Sequence, residues 1–589
     1  MADDGARQGR LVRPRRILSV GVTGHRPSRL VGCDMAALDR SIAALIDAIA
    51  AAARVGSPRD LRMISPLAEG ADSMLADAAT ARGWRLEVVL PFLSEDYAND
   101  FEVGAVRDDH LKRLAGAAAV FELPGLRGEA EEPISYERAG RVMVAQSDII
   151  IAIWDGGPVR GRGGAAQIVA EAVYDGVPVI QLDPRSPGPP QLLWDGLVEI
   201  DLGQQTVETV ARGDLSHLDR LIGELLADAA VGQPDRRHFF DRSAGWRMPG
   251  LAYPALLAMA RVRTMRGSDF RMRPPLRPDC SELTNCRGDA RQRQRLADLL
   301  VPRFIRADQA ATHSAAMLRS GYVRNFSLAA FAVAVSMLGL LLPHGFKAVL
   351  LFTEFATIVT ILGGTHIGRR AGWHGHWLEH RALAERLRCL AITVQLGDLD
   401  LRDRIGETAP WASAMATATA RELGLPHAAA DEPYLLAVRD ALCELIDGQR
   451  SYLKVEAQRM HRLEHRLHLT GTWLFMITAF SCVALLITHG VMGIEAPQRV
   501  LTLVTAMSAL FPAIGAAIYG IRMQGDFAGV AERSTVLDQH LTVLRSVIDE
   551  DDLSFETLSR RARRAADLLT GDVARWLSNA SVRPLVLPG

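Results

Sequence analysis

Three short stretches of this chain combine glycine with polar side chains in the way phosphate recognition needs. They are Gly21-Val22-Thr23-Gly24-His25-Arg26, Ser65-Pro66-Leu67-Ala68-Glu69-Gly70-Ala71-Asp72, and the long Trp154-Asp155-Gly156-Gly157-Pro158-Val159-Arg160-Gly161-Arg162-Gly163-Gly164-Ala165. A glycine turn entering a helix offers backbone N–H groups to an anion at the positive end of the helix dipole. Arg26 can add a guanidinium fork. The third stretch, with five glycines and two arginines in ten residues, is the strongest cradle of the three. The candidate ligand-binding residues are therefore Gly21, Thr23, Gly24, His25, Arg26, Glu69, Gly70, Asp72, Gly156, Gly157, Arg162, Gly163 and Gly164. Plainer roles compete: such turns want glycine for conformation alone, Asp72 equally suits a helix cap, and Glu69 a solvated loop. Tyr136, Glu137 and Arg141 begin an amphipathic stretch that faces either a ligand or solvent.

The elements that must hold these loops are short apolar runs alternating with helical stretches. The runs are ILSVGVTG (17–24), LRMISPL (61–67), LEVVLPF (86–92), DIIIAIW (148–154) and VPVIQLD (177–183). They alternate little between apolar and polar, as strands covered on both faces do. The expected fold of 17–184 is an α/β doubly wound parallel sheet, Rossmann-like, whose carboxyl edge gathers the three loops. A basic tail (1–16) precedes it, and 185–300 reads as a Pro- and Arg-rich linker with small helical segments.

Four apolar runs follow, 326–342, 348–367, 469–488 and 500–521, each close to the roughly 20 residues a helix needs to cross hydrocarbon. The expectation is an all-α four-span transmembrane bundle with cytoplasmic helices. It divides into a first hairpin unit (301–400), a connector (401–454), a second hairpin unit (455–550) and a C-terminal helix and tail (551–589). Arginines flank the outer ends of both hairpins, whereas the two short connectors hold only Lys347 and Arg499, which places both termini in the cytoplasm. The repeated order of helix, span, span, helix suggests a duplicated unit, with convergent topology as the alternative. Glu354, a carboxylate within the second span, either faces a pore or a bundle interior or reaches the interface. Gly363-Gly364 and Gly515-Ala516 permit close helix contact, as a bundle or a homo-oligomer needs.

The remaining composition excludes more than it assigns. The 589 residues carry a net charge of −1, which argues against a nucleic-acid partner. The six cysteines show no CxxC spacing, so no metal site or disulfide framework is expected, and no cofactor is called for beyond a nucleotide or nucleotide-derived ligand. The polar, basic N-terminus is not expected to be an export signal.

GVTGHR, SPLAEGADSMLADAA with LEVVLPF, and SDIIIAIWDGG with GRGGAA and GVPVI resemble, in that order, the SLOG superfamily, which includes the DNA-processing Smf/DprA proteins and the LOG phosphoribohydrolases. The membrane part is similar to the SLATT family of two-span modules. The resemblance implies a domain sensing a nucleotide-derived messenger joined to a membrane effector, such as a pore, of bacterial conflict or anti-phage defence in the inner membrane. LOG enzymes carry PGGxGTxxE, whose acidic residue serves N-glycosidic cleavage. Here Ala165 replaces the threonine and Gln167 falls near the acidic position, and an amide cannot take a proton. Glu69 and Glu171 are the candidates for a surviving catalytic carboxylate, which keeps a membrane-tethered nucleotide hydrolase as the alternative.

Overall fold

The computed structural model describes residues 11, 13–186, 188–198, 205–227, 239–240, 250–270, 283, 290–399, 410–492 and 497–581. Most of the basic tail, RMRPPLRP with Cys280, Cys286, all but two residues of HFFDRSAGW, and the end of the C-terminal tail lie outside them.

Among the described residues nine strands form one sheet: β1 (Leu18–Gly24), β2 (Leu61–Ser65), β3 (Arg85–Leu90), β4 (Ala119–Glu122), β5 (Ile149–Ile153), β6 (Val179–Leu182), β7 (Gln191–Leu193), β8 (Arg212–Gly213) and β9 (Ala428–Ala429). Their order is β8-β7-β6-β5-β1-β2-β3-β4-β9, parallel from β6 through β9, with β7 and β8 antiparallel at the other end. The chain steps outward from β1 to β4, then crosses back to place β5 on the far side of β1. β7 and β8 extend the sheet into the stretch read from sequence as a connector.

Helices cover both faces. On one, α1 (Met35–Ala53) and α2 (Ala71–Thr80) bury Leu38, Ile42, Leu45 and Leu75 against the strands. α3 (Ala105–Gly116) lies between β3 and β4 in sequence. On the other face, α4 (Glu131–Ala145) and α5 (Ala165–Tyr174) share one core with helices that come from the far end of the chain. α6 (Leu218–Leu225) packs on α1.

The C-terminal part is all helical. α7 (Ala252–Met259) docks on α8 (Val301–Leu341), where the Tyr253 N–H donates to Ser320 Oγ at 3.2 Å. α8 and α9 (Lys347–Arg370) make one hairpin. α10 (Trp373–Thr393) and α11 (Pro410–Leu423) follow, and α12 (Glu432–Leu485) with α13 (Gln498–Gly525) makes the second hairpin, which packs on α8. α14 (Phe527–Glu550) and α15 (Phe555–Ser581) complete the chain. Among the described residues four helices are long and apolar enough to cross a membrane, and no more than 17% of each apolar window is buried. Phe352 and Phe480 are 71% and 76% exposed, a surface that suits hydrocarbon rather than water.

The two hairpin units are built alike. Each returns through a left-handed residue, Gly372 (φ +58°) or Asp526 (φ +47°), into a helix that packs back along the entering one, α10 on α8 and α14 on α12. Gly364 and Gly515 are close-contact points, since a side chain there would strike Arg324 and Phe475 respectively, while Gly363 has open space around it. Glu354 is half-buried on α9.

The α/β unit and the helical part are not separate bodies joined by a linker. Arg421 on α11 grips Asp148 through Nε and Nη2 (2.9 and 2.8 Å to Oδ1), and Asp148 also accepts the Ser19 N–H. The next residue, Glu422, pairs with Arg303 of α8, both buried. The chain then turns at Gly424 (φ +66°) under Arg62, and the Leu425 N–H donates to Glu87 at 3.0 Å. β9 follows, pairing with β4 through Phe121 with Ala428 and Glu122 with Ala429, and α12 begins three residues later.

Candidate functional site

β1 and β5 are neighbours although three strands separate them in sequence, so the loops leaving their carboxyl ends diverge and leave a crevice, the usual ligand position in open α/β sheets. β2 lies on the other side of β1, which puts all three glycine loops side by side.

Direct contacts tie them together. The His25 N–H donates to the Ile153 carbonyl at 3.0 Å, and His25 Nε2 lies 3.1 Å from Asp155 Oδ1. The Ala71 N–H donates to the His25 carbonyl at 3.2 Å. Gly70 adopts φ +103°, and a Cβ there would sit 2.7 Å from the same carbonyl, so both its conformation and its contact require glycine. Gly163 packs on α4, where a Cβ would lie 2.7 Å from the Tyr136 Cβ.

The residues nominated from sequence divide into two groups. Gly24, His25, Arg26, Glu69, Gly70, Asp72, Gly156 and Gly157 belong to the converging turns, with Thr23 buried at the end of β1. Gly21 sits inside β1 with Ser147 and Met143 filling the space of its missing side chain, so its place is in packing. Gly164 precedes α5 with no side-chain cap, and Arg162 turns to Glu137, Nε to Oε2 at 2.7 Å. Gln167 closes the third loop: its Oε1 accepts the Gly163 N–H at 2.8 Å while Nε2 donates to Glu171 at 3.0 Å. Glu171 is further held by Arg141 and lies on the flank of α5, away from the crevice. Asp72 does not cap its helix; the N-cap is Gly70.

Sequence reading missed one wall. The segment after β3 brings Tyr97 and Asp100 against Tyr136, whose hydroxyl donates to Asp100, while His110 from α3 packs behind Tyr97 and Phe101. Arg127 pairs with Asp100 and lies 3.8 Å from the centre of the Phe92 ring. Arg26 rests over the Tyr136 ring at 5.1 Å and, among the described residues, forms no ion pair, which leaves its charge available to an anion. The signal available was positional, because SEDYANDF follows a strand at the same sheet edge.

Burial lowers the pKa of His25 despite Asp155, favouring the neutral imidazole. Burial pushes the Asp72 carboxyl up to about 7, against the Ala68 N–H and the Arg26 charge, which pull it down. An unfolded carboxyl titrates near 4, so the stability Asp72 contributes is fully present below about pH 4 and is lost as pH rises through about 7. Asp72→Asn is therefore expected to gain on the parent protein, by up to about 4 kcal/mol, between about pH 4 and about pH 8. Thermal melts across that range check this, and a stability difference that does not change with pH would refute it.

The chain matches no protein family, no curated protein and no solved structure. What this edge does must be argued from its geometry.

Proposed function

We propose that the chain is a membrane effector whose cytoplasmic α/β unit, doubly wound and Rossmann-like in the manner of SLOG domains, senses a nucleotide-derived ligand at the carboxyl edge of the sheet. The four spans, SLATT-like hairpins of a homo-oligomer in the bacterial inner membrane with both termini cytoplasmic, open or assemble a pore in conflict or anti-phage defence. The observation that carries this reading is covalent continuity: β9 lies in the sheet, and α12, starting three residues later, runs 54 residues into the third apolar window. At 1.5 Å per residue that is about 80 Å of unbroken helix. A ligand that prefers one arrangement of the sheet is thereby linked to the spans, provided its affinity differs between two states.

Purified protein in ion-loaded liposomes tests this. Addition of nucleotides is expected to release ions, and Arg26→Gln to lose the response. A nucleotide that binds yet releases nothing sinks the gating step.

Asp72 favours a second reading. A buried carboxyl held near neutrality beside a phosphate-type turn suits a general acid, as N-glycosidic cleavage requires. Release of free base from nucleoside monophosphates, abolished by Asp72→Asn, is the expected result if the chain is a tethered hydrolase.

A further inference from the structure

We propose a second small-molecule site, a cleft between the α/β unit and the helical region that accepts a nucleotide-type ligand, meaning a flat heterocycle carrying an anionic group. The cleft has a volume of about 740 Å³ and is bounded by α4 and α5 on one side and by α10, α11 and α15 on the other. That size and that position between two packed units are those of a preformed ligand site. None of the three glycine loops lines it, so it does not depend on the sheet-edge reading.

Its floor is apolar and its mouth charged. Leu390 and Leu399 are buried at 5% and 2% exposure, with Thr393 beside them. At the rim Tyr174 is 55% exposed, which offers an aromatic on which a base can stack. Arg141 from α4 and Arg563 from α15 have side chains 60% exposed, and their planar forks fit a phosphate. In this structure Arg141 holds Glu171 and the buried Glu137, and Arg563 holds Asp398. A ligand phosphate takes over the guanidiniums from these carboxylates, which then accept hydrogen bonds from exocyclic amino groups of the base. Such an exchange keeps each exposed guanidinium paired, one anion replacing another.

The cleft also sits where occupancy has consequences. α10 leaves the second span through Gly372, and α5 carries the third glycine loop at its start, so one ligand touches an element joined to a span and an element joined to the sheet edge.

The test uses trinitrophenyl-ATP as a fluorescent probe on the full chain in lipid nanodiscs, with unlabelled ATP as competitor to separate protein binding from uptake of dye by lipid. The parent protein is expected to bind the probe saturably and displaceably. Tyr174→Ala and Arg563→Gln, both at exposed positions that spare the core, are each expected to weaken it about ten-fold, a loss of ~1.4 kcal/mol. Thermal melts establish that both variants are folded. Absence of displaceable binding by the parent up to about 1 mM, or parental affinity in both variants, overturns the proposal. Neither residue lines the sheet edge, so parental affinity in both variants overturns this site and leaves the sheet-edge reading standing, whereas loss of the response in Arg26→Gln with probe binding intact leaves this one.

Discussion

Arg62→Ala is expected to cost about 3–5 kcal/mol of folding stability, because it strands several buried groups at once. The Arg62 side chain has no exposed surface; its Nη1 donates to Glu87 at 3.0 Å, Nη2 to Ser19 Oγ at 2.7 Å and to the Gln146 carbonyl at 3.2 Å. Burial brings the guanidinium pKa down to about 10 even though Glu87 opposes the shift. Glu87 feels burial in the opposite direction, yet Arg62, Arg85 and the Leu425 N–H hold its carboxyl below the ordinary range. Removing the arginine leaves a carboxylate with no exposed side-chain surface and two polar groups without their donor, and water cannot reach them cheaply. Denaturant titration of the full chain checks the figure, and a loss under about 1 kcal/mol would show the pair to be unimportant. Arg62→Met with Glu87→Leu is expected to recover most of the loss, since a buried pair is weak evidence of stability while half of one is expensive.

Such a pair was visible in the sequence without being readable. Arg62 lies within LRMIS and Glu87 within LEVVL, charges in the middle of strands that are otherwise apolar and fully covered. A single charge in a buried strand announces a partner but does not name it. The partners here are 25 to 338 residues away, on other strands and on the segment after α11. The same distance hid β9, two residues whose only claim to being a strand is the edge of β4. β4 itself was missed because AAAVFELPG offers four strand residues preceded by alanine, too short to show a pattern. By contrast β1, β2, β3, β5 and β6 were legible as unbroken apolar runs, and the spans as runs of the length a bilayer demands. Glycine made the three loops legible, since Gly70 and Gly163 sit where a side chain would collide. It could not say that Glu171 would face a different cavity, because that depends on helices almost 400 residues downstream.

Arg421→Gln is expected to uncouple the two ends of the molecule. Whatever happens at the carboxyl edge of the sheet can reach α12 by two routes, the β4–β9 pairing and the bidentate grip of Arg421 on Asp148 at the amino edge. Glutamine offers one amide in place of the two-pronged fork, so the grip loosens while Arg303 still holds Glu422 and Arg62 still holds Glu87. Allosteric coupling of the usual size, about 1–3 kcal/mol, is small enough to vanish with one such contact. Nucleotide-driven ion release is accordingly expected to fall ten-fold or more (roughly 1.4 kcal/mol), with nucleotide affinity within about two-fold of the parent. Asp148→Asn is expected to do the same, and the double variant to add little, as two residues acting through one contact should. A readout that needs no ligand is hydrogen exchange at Ala430, whose N–H donates to the Glu122 carbonyl at 2.8 Å beside β9. Faster exchange there in Arg421→Gln places β9 under the control of the amino edge. Unchanged exchange together with full ion release would mean that the sheet speaks to the spans through the β-pairing alone.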